Sequence, residues 1–168
     1  MYGSLEEFLE QVARRESWFG GGSVAALAAA LAAALTEKLA VQPGAVRRLR
    51  RIRRRCLRLV QRDAETFARV IAASRHRNRA SFHRRLKTAI EVPWQVFESA
   101  QAVAASCRVA QRSVKPQWRS DLRCALSLAN ASAEAARALI STNLTWLGDP
   151  QYSRTVRHRL AAAERNAR

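Results

Sequence analysis

The sequence predicts an all-α chain folded as an antiparallel bundle of about six helices. Three observations carry that prediction. Alanine is abundant while β-branched and aromatic residues are sparse, which suits helix rather than sheet. Apolar residues recur at spacings of three and four over most of the length. Turn formers fall between those stretches, at Gly20–Gly22, Pro43-Gly44 and Gly148-Asp149-Pro150. The 168 residues read as one helical domain, 1–168, with 150–168 as a basic C-terminal helix or tail. A hydrophobic content of 48% supports a core and excludes a wholly disordered chain.

The elements follow in order. Ser4-x-x-Glu7 is a capping box, and Leu5, Phe8, Leu9 and Val12 carry a helix that ends near Glu16. Ser17–Ser23 is a Gly-rich connection. A second helix, from Ser23 or Val24 to about Ala40, is apolar on every face until Glu37, which predicts the most buried helix. Pro43-Gly44 reads as a turn. A third helix over 45–74 carries the stripe Val46, Leu49, Ile52, Cys56, Leu59, Val60, Phe67 and Val70, with arginines on its other faces. Arg75–Arg79 is a polar connection. A helix over 80–92 stops or kinks at Pro93, and another runs to about 112. After the Ser113–Arg119 loop, Ser120 caps a helix ending near Leu147, with Asp121 in its first turn. A last helix spans 153–165.

Charge and cysteine usage narrow the partners. Thirty Lys and Arg against 13 Asp and Glu give a net charge of +17, a surface that attracts polyanions. Cys56, Cys107 and Cys124 lack CxxC spacing, and His76, His83 and His158 lack any paired motif, so neither a disulfide framework nor a metal site is expected. Glu6, Glu7 and Glu10 do not suit a signal peptide. The longest apolar run, Val24–Leu35, falls short of the roughly 20 residues of a membrane span. A cytoplasmic protein with no membrane association is expected.

Several residues carry candidate chemistry. Gly20-Gly21-Gly22-Ser23 opens a helix, where free N–H groups can seat an anion, or it is only a tight helix–helix turn. Asp63 lies four residues after Leu59 and four before Phe67, on the apolar stripe. It is either an acid/base group with a shifted pKa or a salt-bridge partner of a nearby arginine. Asn143 can bind a ligand or bridge helices through its amide. The Arg47–Arg55 run is a phosphate-binding surface or a solvated helix face. An alanine-rich central helix with few large core residues points to a thin monomer completed by a homodimer.

In this order the features resemble a known family. Phe19-Gly20-Gly21-Gly22-Ser23-Val24-Ala25-Ala26-Leu27-Ala28-Ala29-Ala30-Leu31 is similar to the PGGGSVAALAAAL signature of the cyclodeaminase/cyclohydrolase family. Asp63-Ala64-Glu65-Thr66-Phe67 resembles its DAxAF segment, Ala89–Pro93 its AxxVP element, and Ser120-Asp121-Leu122, Asn143-Leu144 and Asp149 its C-terminal part. Phe19 stands in place of the motif's proline, and Leu139 in place of its first asparagine. The resemblance implies an all-helical homodimer and a folate substrate with no bound cofactor. It also implies chemistry on the methenyl or formimino bridge of tetrahydrofolate, of cyclohydrolase or cyclodeaminase type. Asp63 and Asp121 are then the catalytic carboxylates, and Gly20, Gly21, Gly22, Ser23 and Asn143 the substrate-binding residues. The alternative is a basic helical module on the same scaffold that binds RNA, DNA or another polyanion.

Overall fold

Strong helical periodicity produces six α-helices in the computed structural model, which describes residues 4–75 and 79–166. They are α1 (Leu5–Ala13), α2 (Gly21–Leu39), α3 (Pro43–Arg75), α4 (Arg79–Ala110), α5 (Arg119–Leu147) and α6 (Pro150–Asn166), with a 3-10 turn at Pro116–Trp118 before α5. No strand occurs among the described residues. Residues 76–78, within the expected polar connection, lie outside them.

Side-chain bonds between helices set their directions. Ser23 early in α2 bonds to Val60 in the middle of α3, and Glu37 late in α2 meets Arg50 and Arg53 nearer the start of α3. These two helices are therefore antiparallel. Ser132 to Ala25 and Lys38 to Asp121 make α5 antiparallel to α2 as well. Thr36 meets Cys107 near the end of both α2 and α4, so those two are parallel. The result is an up-down-up-down bundle in which α2 and α4 touch across the diagonal between α3 and α5. Small side chains permit that approach. Ala25, Ala26, Ala29, Ala30, Ala32 and Ala33 are all buried. Larger residues of α4, including Val96, Phe97 and Val103, fill the opposing space. The last helix, α6, packs back with Val156 and Leu160 buried, Arg159 above the Trp94 ring at 4.3 Å and Glu164 near Arg137.

Several elements differ from their sequence expectation. The second helix starts at Gly21, with Gly20 as its N-cap, so the glycines form its first turn rather than a loop. It is long and apolar enough to cross a membrane by length and composition, and half of it is buried in the bundle. Its outer face is not buried: Val24 and Leu31 are exposed, with Leu27 and Leu35 partly so. Pro43 does not end a helix but begins α3 at a position where its missing N–H costs nothing. Ser120 is not a cap. The preceding 3-10 turn hands directly over to α5, whose N-cap is Trp118. Asp149 caps α6 instead, its carboxylate accepting the Tyr152 N–H at 2.9 Å.

Pro93 neither stops nor divides α4. Proline lacks the N–H that would reach the carbonyl four residues earlier, which leaves Ala89 O without its helical donor. Asn143 of α5 supplies one, its amide Nδ2 donating to Ala89 O at 3.4 Å. Asn143→Leu should therefore cost about 1–3 kcal/mol, the penalty of a stranded buried acceptor. Pro93→Ala should recover part of that loss in the Asn143→Leu background, because alanine restores the missing N–H. Urea denaturation of the two single variants and the double variant tests the coupling. Strict additivity would refute it.

Candidate functional site at the start of helix α2

The site begins with a missing side chain. Gly20, as N-cap, has no side-chain oxygen to offer the first amides of α2. The carboxylate comes instead from α3. Asp63 accepts from the Ser23 backbone N–H and stands 3.2 Å from Ser23 Oγ through Oδ2. It therefore caps α2 from another helix, in the position favoured by the positive end of the helix dipole. Gly22 makes this approach possible. A Cβ there would overlap the Asp63 carboxyl group, whereas one at Gly21 would make ordinary contact with Leu139 and one at Gly20 would meet nothing.

Asp63 is half-buried, and no ion pair reaches it among the described residues. Burial pushes its pKa above the ordinary carboxylate value, against the lowering effect of the two Ser23 hydrogen bonds. The surrounding bonds serve both protonation states. Ser23, fully buried, has one hydroxyl proton and two acceptors, Val60 O at 2.9 Å and Asp63 Oδ2. When Asp63 is ionised, the Ser23 hydroxyl can donate to it. When Asp63 is neutral, its own O–H can donate to Ser23 Oγ while Ser23 donates to Val60. A carboxyl group that changes state without stranding a neighbour is suited to proton transfer.

An aromatic pair lies beside this cap. Phe67 is one helical turn beyond Asp63, and its ring meets Trp18 edge to face at 6.4 Å. Sequence reasoning placed Phe67 on the core stripe and gave Trp18 no role. Both rings remain more than a third exposed, Trp18 at 43% and Phe67 at 37%. Only Trp18's position just before the glycines hinted at this.

The structure brings Gly20, Gly21, Gly22, Ser23 and Asp63 together. Asn143 lies at the same end of the bundle, one turn beyond the Leu139 that faces Gly21, but its amide is turned to Ala89. Asp121 is not brought to this site within one chain. It pairs with Lys38 at 3.0 Å, and Lys38 also stacks over Trp118. Lys38 is 15 residues beyond Ser23, about 22 Å along α2 at 1.5 Å per residue. The arginine run is partly structural: Arg50 and Arg53 clamp Glu37 and hold its carboxyl below the usual range, while Arg55 faces Glu98.

A crystal structure of formiminotetrahydrofolate cyclodeaminase from Thermotoga maritima has the same fold. The TM-score is 0.90 at 23% identity, over 98% of this chain and 90% of that one. No curated protein sequence matches the chain. The sequence profile described as Formiminotransferase-cyclodeaminase matches residues 4–162, a span that holds the capped glycine turn, Asp63 and Asn143 together. By that match the chain belongs to the formiminotransferase-cyclodeaminase family.

Proposed function

We propose that this protein is a folate one-carbon enzyme acting on the methenyl or formimino bridge of tetrahydrofolate. The observation that carries the reading is Asp63, a half-buried carboxyl with no cation partner among the described residues and a raised pKa, set on a helix start beside Ser23. In the hydrolytic direction, water forms a C–O bond to the electron-poor methenyl carbon while Asp63 takes its proton. The C–N bond then breaks and a proton passes to the leaving nitrogen. Of water's two protons, one ends on that nitrogen and one is released. In cyclodeamination the nitrogen at position 10 bonds to the formimino carbon and the bond from that carbon to the formimino nitrogen breaks; the proton lost from position 10 and one further proton passed by Asp63 leave with that nitrogen as ammonia.

A homodimer accords with the stripe on α2 in which Val24 and Leu31 are exposed and Leu27 and Leu35 partly so. That stripe runs from the Asp63 end of the helix toward Lys38. Antiparallel pairing of two copies along it would set Asp121 of the partner subunit near Asp63, giving the second carboxylate a place at the site.

The test is hydrolysis of 5,10-methenyltetrahydrofolate and cyclodeamination of the 5-formimino derivative by purified protein, each against the buffer rate. Turnover above the buffer rate in either is expected. A rate equal to buffer in both would overturn the reading. Light scattering at micromolar concentration should give twice 18.8 kDa, and a monomer mass would remove the dimer.

A further inference from the structure

We infer that Trp18, with Phe67, is the substrate-positioning surface of this site, seating a planar heteroaromatic ring beside Asp63; the inference rests on the folate reading above. The geometry that carries it is a pair of rings held firmly yet left open. Trp18 is fixed from both sides. Ser17 N–H donates to Arg14 O at 3.2 Å, and Ser17 Oγ accepts the Phe19 N–H at 3.1 Å. The Phe19 ring then packs edge to face on Phe8, a core residue, at 5.8 Å. The turn that carries Trp18 is therefore anchored, while its side chain stays accessible to solvent. Phe67 supports it from α3, on the same face as Asp63 and one turn away.

A flat ring stacked on an aromatic face gains from area and from ring electrostatics. It also tolerates no sliding once an edge is hydrogen-bonded. A ring bearing N–H groups has such an edge, and the Asp63 carboxylate is an acceptor. The bicyclic ring of a reduced pterin meets both requirements.

The test compares Trp18→Ala, Trp18→Phe and the unaltered protein by steady-state kinetics with 5,10-methenyltetrahydrofolate, alongside thermal melts. Trp18→Ala should raise KM about tenfold with kcat within about twofold, the scale of one lost stacking contact. Trp18→Phe should recover most of the loss. An unchanged KM in Trp18→Ala overturns the inference. So does a fall in kcat with a lowered melting temperature at constant KM, which would show that Trp18 only braces the start of α2. If the unaltered protein neither binds nor turns over the folate, the proposed function itself falls and takes this inference with it.

Discussion

Asp63→Asn is expected to lower folate turnover by about 10²- to 10⁴-fold, the range for losing a positioned acid/base group. The fold should survive, because asparagine is isosteric and its oxygen can still accept from Ser23. The pH dependence has a definite sign. The folded pKa of Asp63 lies above its ordinary value of 3.8, so ionising the group costs the folded state more than the unfolded one. Its contribution to stability is thus fullest below 3.8 and is lost as pH rises through the folded pKa. Asp63→Asn should remove that loss and melt no lower than the unaltered protein at neutral pH. The base-dependent limb of the rate profile should rise through the same folded pKa, above the usual carboxylate range. Turnover within twofold of the unaltered protein would end the acid/base assignment, whatever the melts show.

Gly22→Ala is expected to abolish most activity without touching a charged group. Alanine in the first turn of a helix would ordinarily stabilise it by up to about 1 kcal/mol relative to glycine. Here the added methyl group collides with the Asp63 carboxyl. That side chain must rotate away and give up its charge-assisted bonds to Ser23, a loss of about 1.5–3 kcal/mol. The net result should be a destabilisation of about 1–2 kcal/mol and a turnover loss of at least 10²-fold. Since both substitutions act through one carboxyl group, Gly22→Ala combined with Asp63→Asn should be little worse than Asp63→Asn alone. Additive losses in turnover would refute the contact. Gly21→Ala meets only Leu139, at 3.7 Å, and should leave stability intact.

The bundle was legible in the sequence where local chemistry decides the outcome. The Ser4–Glu7 capping box forms as expected, with both of its bonds present. The stripe on α3 buries Leu49, Cys56, Leu59, Val60 and Val70, and the polar residue on it, Asp63, lies against Ser23 and Gly22. What was not legible depends on residues far apart in the chain. Glycines read as a loop because they are poor helix formers, yet a carboxylate 40 positions beyond Ser23 caps them into helix. Pro93 read as a break because its missing donor cannot be supplied locally. The family resemblance pairs Asp121 with Asp63; within one chain Lys38 holds it at the other end of α2, so the sequence could not say which subunit would supply it. The apolar surround of α2 suggested complete burial. Composition cannot tell a face covered by the same chain from one left open, and Val24 and Leu31 are open.

The link between Asn143 and Ala89 has a consequence for the order of synthesis. The donor that completes the middle of α4 is 54 residues later in the chain than the carbonyl it serves. As the polypeptide leaves the ribosome, the whole of α4 emerges while that carbonyl can be satisfied only by water. During that interval Ala89 O is the one carbonyl in the middle of α4 whose protein donor has yet to be made. Satisfaction of that carbonyl by protein therefore waits for α5. A nascent chain stalled before Asn143 would hold every residue of α4 and still lack the donor to Ala89 O.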